Sequence, residues 1–164
     1  MSSTVNPYRQ VYDALWDMLE RHKGWSGLVK PGNRVKYLDD PVPKLDEIAS
    51  ADLPTLIIIP VGSGPSLHHD SSAAVLVKRF SIFVATGERS VGLLFDIEFQ
   101  AFRAMADFRS IKSDLEWRGH AFCTHMNLTE ISDSEIEDRG LLGWTSIWAC
   151  EAHMNFPLTL LRED

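Results

Sequence analysis

From Trp144 to Phe156 the chain alternates apolar and polar side chains. Trp144, Trp148, Cys150, Ala152, Met154 and Phe156 fall on one parity, and Thr145, Glu151, His153 and Asn155 on the other. Only an extended strand sends every second side chain to the same side, so this stretch constrains the fold more than any other. Two residues break the pattern, Ser146 in the apolar set and Ile147 in the polar set. Just upstream, Phe122, Thr124, Met126 and Leu128 alternate with Cys123, His125 and Asn127. The two runs predict a hairpin. Between them, 129–142 carries Glu130, Asp133, Glu135, Glu137 and Asp138 and reads as a flexible acidic connector.

A third strand is expected over 74–86. Leu76, Phe80, Ile82 and Val84 share one face; Val77, Phe83 and Ala85 share the other with Arg79 and Ser81. At about 3.3 Å per residue it would reach roughly 40 Å, more than a small core needs, so a partner is expected to cover the excess. The continuous apolar run from Thr55 to Val61 predicts a short strand buried on both faces. Arg34–Leu38 predicts a shorter one, and the proline-rich 39–54, the Gly/Ser/His-rich 62–72 and the tail 158–164 read as flexible segments.

Two helices complete the pattern. Asn6 suits an N-cap and Pro7 the first helical position, and Tyr8, Val11, Tyr12, Leu15 and Leu19 recur at helical spacing, with Gly24 expected to supply a stop near 22–24. The second helix starts after Ser90. Its apolar residues form two stripes: Val91, Leu94, Phe95, Phe99, Phe102, Met105 and Ala106 in one, Ile97, Ala101, Ala104 and Phe108 in the other. A helix apolar over most of its circumference needs cover on more than one side, and in so small a chain a second subunit can supply it. The element order is α-β-β-β-α-β-β. This predicts one α+β domain over 1–164: a mainly antiparallel sheet with a long hairpin and two helices packed on one face.

Composition narrows the function classes. With 164 residues and 45% hydrophobic content the chain can build a real core. No apolar run approaches the ~18 residues of a membrane helix, and 1–6 lacks the apolar stretch of a secretory signal, so a soluble protein with no membrane partner is expected. The net charge of −7 is uneven. Residues 1–37 hold six Lys/Arg against three acids, and the remainder holds ten against twenty. That excludes a chain that wraps nucleic acid over its whole surface. The basic residues Arg21, Lys23, Lys30, Arg34 and Lys36 read as a solvated helix end and strand.

No stretch carries a catalytic signature. Gly62-Ser63-Gly64-Pro65-Ser66 lacks the lysine of a phosphate loop, and Ser63 lacks the glycine spacing of a nucleophile elbow. His68-His69-Asp70 lies on an expected loop, where adjacent histidines diverge. His120, His125 and His153 read as sheet histidines, with His125 and His153 brought close if their strands pair. Cys123 shares the parity of His125, whereas Cys150 lies opposite His153, which argues against a mixed Cys/His site. Asp133, Glu135, Glu137 and Asp138 do not follow a calcium-loop spacing. Glu88, Asp96 and Glu98 define no acid/base pair. Trp144 and Trp148 share a face without interleaved cations and read as core. No catalytic residue, cofactor or metal is expected.

The whole pattern resembles the tail terminator (tail completion) proteins of long-tailed bacteriophages. The matching features are the helix Tyr8-Arg9-Gln10-Val11-Tyr12-Asp13-Ala14-Leu15, the strand Leu56-Ile57-Ile58-Ile59-Pro60, the long strand running through Thr86-Gly87 into the second helix, and Arg139-Gly140-Leu141-Leu142-Gly143-Trp144 before the final strand. The likeness spans roughly residues 7–157 and rests on element order and length. It implies a virion structural protein without catalysis, assembled in the host cytoplasm into the tail and neck. It further implies a homo-oligomer, a hexameric ring, that contacts a tail tube protein and a neck or stopper protein and passes genomic DNA through its lumen. Arg79, Phe83, Phe95, Phe99, Phe102 and Phe108 are then the expected subunit interface, and an aspartate at Phe99 or Phe102 is expected to break both assembly and folding. The alternatives are another neck or tail-tube component of related fold, or a small metal-dependent enzyme or ligand-binding domain using His68, His69 or His153.

Overall fold

The computed structural model describes residues 5–35, 54–63, 68–69, 73–87, 91–138 and 141–162. The protein is α+β. Helix α1 (Pro7–Arg21) is capped by Asn6, whose Oδ1 accepts from the Tyr8 amide at 2.8 Å. It buries Val11, Tyr12, Leu15, Trp16, Met18 and Leu19. His22, not Gly24, ends it: His22 is extended, and its Nδ1 accepts from the Trp25 amide to open the short helix α2 (Lys23–Ser26). Gly24 lies within α2, where a Cβ would collide with the Gln100 side chain.

Strand β1 (Arg34–Val35) runs parallel to β2 (Thr55–Ser63). β2 pairs antiparallel with β4 (Ala73–Thr86), which also takes the two-residue β3 (His68–His69). Helix α3 (Val91–Met105) and the short α4 (Phe108–Ile111) follow. A small hairpin, β5 (Glu116–Trp117) and β6 (His120–Ala121), leads to the long hairpin β7 (Cys123–Asp138) and β8 (Leu141–Pro157). A last turn of helix, α5, spans Leu158–Leu161. The main sheet has the order β1-β2-β4-β8-β7, with every described pairing except β1–β2 antiparallel.

The expected acidic connector is therefore strand through Asp138. Its acids pair along β8, from Glu130 opposite Ala149 to Asp138 opposite Leu141. Gly62 and Ser63 extend β2, and Leu158–Leu161 is helical rather than an open tail. Most of the expected 39–54 connector, the Ser90 cap, Lys36, Asp70 and Glu88 lie outside the described residues.

Helices α1 and α3 pack on one face of the sheet. From β4 that face receives Leu76, Phe80, Ile82 and Val84; from β8 it receives Trp148, Cys150, Ala152, Met154 and Phe156. Phe122 stacks on Phe156 at 5.3 Å, and Trp117 meets Phe156 edge-on at 5.9 Å. No described helix is long and apolar enough to cross a membrane.

Two bulges in β7 set its facing. One extra residue at Thr124 separates the pairs Cys123–Met154 and His125–His153, and another at Thr129 separates Leu128–Cys150 from Glu130–Ala149. A bulge moves every later side chain to the other parity. Cys123 consequently lies in the core with Cys150, while His125 points to the opposite face. Simple alternation had placed Cys123 and His125 together.

Candidate functional site

The site is built from two apolar surfaces on opposite layers of the molecule. The first is the outward side of α3. Its inner stripe, Leu94, Ile97, Ala101, Ala104 and Met105, is buried against the sheet and α1. The residues one step around the helix are Phe95, Phe99 and Phe102, at 56, 60 and 59% exposure. At i, i+4 and i+7 they form a single ridge. The apolar stripes thus divide differently from the sequence reading: Leu94 and Met105 join the inner set, and the three phenylalanines stand outside with Ala106.

Phe108 leaves the interface set. The helix breaks into a turn at Ala106–Asp107 and restarts as α4, which folds Phe108 into the subunit's own core at 6% exposure. Burial also corrects the expected folding loss at Phe99 and Phe102, because a charge there meets water in the lone subunit.

The second surface is the sheet face opposite the helices. Cross-strand register places Ile57, Phe83 and Ile147 in one row, Ile59, Ser81 and Ala149 in the next, and Arg79 with Glu151 beyond them. Among the described residues no helix covers this face, yet it is open only in part, since Ile57 and Val77 on it are buried. Ile147 and Val61 are 46 and 59% exposed. With Phe80, Ser81, Ser132 and Ala149 they line a shallow depression of about 270 Å³. The apolar end gives way to a polar one. Arg79 Nε lies 3.1 Å from Glu151 Oε1, and His153 Nε2 lies 3.2 Å from Glu151 Oε2. His125 stacks on His153, ring centroids 3.9 Å apart and 19° from parallel. Burial, and then the neighbouring His153, hold His125 below the ordinary imidazole range, against the pull of Glu151.

Of the expected interface residues, then, Phe95, Phe99 and Phe102 lie on the helix layer, Arg79 and Phe83 on the bare sheet face, and Phe108 in the core. Pairing does bring His125 and His153 together. Among the described residues no three His, Cys, Asp or Glu side chains are placed to share a metal ion. Burial pushes the Cys123 and Cys150 thiols up to about 12, which leaves neither as an available thiolate. His120 Nε2 donates to the Asn155 carbonyl at 3.1 Å. His68 and His69 occupy β3, opposite Val75 and Ala74. Two members of the basic cluster are engaged in the fold: Arg21 pairs with Asp17 at 2.7 Å, and Arg34 donates to the Ser26 and Val29 carbonyls while lying 4.9 Å over Trp25.

One polar site escaped sequence reading. Ser146 is fully buried, accepts from Trp148 Nε1 at 2.7 Å and donates to Glu98 on α3. Desolvation, then a hydrogen bond with Asp133 on β7, raises the Glu98 carboxyl from the ordinary 4.5 to about 7, against the opposing pull of Ser146. Among the described residues the carboxyl that partners Glu98 is therefore Asp133, not Asp96. The signal was present as the serine that interrupts an apolar strand face, just as the misplaced Ile147 marked the bare-face depression.

No family model matches the chain, and no curated protein matches it. Its fold is similar to that of a chain from the virion of a native gene transfer agent (GTA) particle, with a TM-score of 0.62 and 14% sequence identity over 89% of this chain and 95% of that one.

Proposed function

We propose that this chain is a phage-like virion structural protein of the tail terminator kind, without catalytic activity. The observation that carries the reading is the likeness to the gene transfer agent virion chain, which spans nearly the full length of both proteins. Two features support it independently. The exposed phenylalanine ridge of α3 is a contiguous apolar surface of the size that commonly marks an interaction site. The overlong β7–β8 hairpin, at 16 and 17 residues, extends roughly 50 Å, more than twice the about 22 Å of α3.

In this reading the subunits close a hexameric ring that caps the tail tube and meets a neck or stopper protein, in the tail of a virion assembled in the host cytoplasm. The net charge of −7 suits such a ring. A lumen lined with acids repels passing genomic DNA, whereas a basic one would hold it. Light scattering behind size exclusion tests the reading. The expected result is a discrete species near six times the 18.5 kDa subunit, or concentration-dependent growth toward it. A protein that stays strictly monomeric up to about 100 μM, two orders above a micromolar dissociation constant, would sink it.

A further inference from the structure

We infer that the Phe95–Phe99–Phe102 ridge of one copy of this chain docks, head to tail, into the Val61–Ile147 depression on the bare sheet face of the next copy. The inference rests on the assembly reading above and supplies what that reading lacks, the surface that receives the ridge.

The partner is argued from what each surface offers. The ridge is convex and uncharged along its crest, with three rings more than half outside. Since a fully buried aromatic covers 150–250 Å², they leave roughly 300 Å² of apolar area in water, the centre of an interface of about 800 Å² per side. A small ligand needs a concave site, which the ridge is not. A nucleic acid that stacks on aromatic rings needs cations among them. The exposed flanks here offer Arg103 and an offsetting Asp96.

The bare face is complementary in shape and charge. Its depression is concave and is lined by Val61, Ile147 and Ala149 with two serines, and no ionisable side chain. The Arg79–Glu151 ion pair stands beyond it, offering both signs to the Asp96 and Arg103 flanks. Copies that each carry −7 repel, so they meet best where carboxylates are absent or paired.

Head-to-tail docking also covers both surfaces in every copy. Ridge packed on ridge, a two-fold contact, would leave the sheet depression of each subunit in water. A contact between two different surfaces propagates and closes a ring when the rotation allows.

The experiment uses full-length protein and three variants, Phe99→Asp on the ridge and Ile147→Asp or Val61→Asp in the depression. All three sites are exposed, so circular dichroism and thermal unfolding should match wild type. Each variant alone should be monomeric, with self-association weakened at least roughly 30-fold, as expected for the centre of an interface. Mixing Phe99→Asp with Ile147→Asp leaves one intact ridge and one intact depression. The expected product is a one-to-one dimer that grows no further. Wild-type-like assembly by both depression variants would overturn the inference while leaving the ring reading standing. So would a mixture that stays monomeric, or Ile147→Asp dimerising through its own ridge. A wild type that never associates would overturn both.

Discussion

Helices α1 and α3 each have fifteen residues, pack against one another and lie on the same face of the same sheet, yet they finish their outward sides differently. α1 turns two of its three aromatics inward: Tyr12 and Trp16 are buried, Tyr8 in the first turn is 38% exposed, and Arg9, Asp13, Asp17 and Glu20 meet solvent or its edge. α3 buries no aromatic residue within its own span and leaves three outside. Both inner faces are complete, so the difference does not reflect a poorer fold at α3. In the assembly proposed above, the outer side of α3 is where a second copy would dock.

Substitution on the inner faces should produce the largest effects and should not distinguish the helices. Leu15→Ala in α1 and Leu94→Ala in α3 each empty a buried site and should cost about 2–5 kcal/mol in denaturant unfolding. A near-neutral Leu94→Ala would mean that α3 is not held as described. An intermediate, pH-dependent effect should come from Glu98 at the seam between α3 and the hairpin. Its carboxyl titrates near 7 in the fold against about 4.5 when free. Folding therefore favours the protonated form, and that contribution is complete below about pH 4.5, declines between 4.5 and 7, and is gone above 7. Glu98→Gln should flatten this part of the stability profile; an unchanged slope would remove Glu98 as its source. The smallest effect on the lone subunit should come from the outer ridge. Phe99→Ser should shift unfolding by only about 0.5 kcal/mol, in protein too dilute to associate, because it empties no cavity. A loss as large as that at Leu94 would erase the contrast between the two sides of α3.

The same contrast explains what could be read from the sequence. α1, β4 and the Trp144–Phe156 part of β8 were legible because one side of each is buried and the other is not, which writes a period into the residues. α3 is apolar on both sides, so periodicity revealed the helix but not which stripe faced inward. Nor could it show the break at Ala106–Asp107 that takes Phe108 into the core. The far half of β7 was read as a connector because Ile131, Ser132, Asp133 and Ser134 are all exposed, so no burial pattern selects its residues. Ser146 and Ile147 were visible as irregularities, but their meaning depends on Glu98 and Val61, which are distant in the chain.

The bulge at Thr129 acts as a phase shifter for the hairpin. Up to Leu128 the facing of β7 is dictated by the core, where Leu128 lies opposite Cys150; beyond it Ile131 to Ser134 are exposed, and burial of their own side chains no longer chooses a side. The single inserted residue makes that choice. It sets Ile131 opposite Trp148 and Asp133 opposite Ser146, and so puts a carboxyl within reach of Glu98. Were Thr129 paired with Ala149 instead of bulged, the outer half of the arm would be inverted, with Asp133 on the opposite side and Ser132 toward the helices. One uncharged residue thus governs which aspect of the subunit Asp133 addresses.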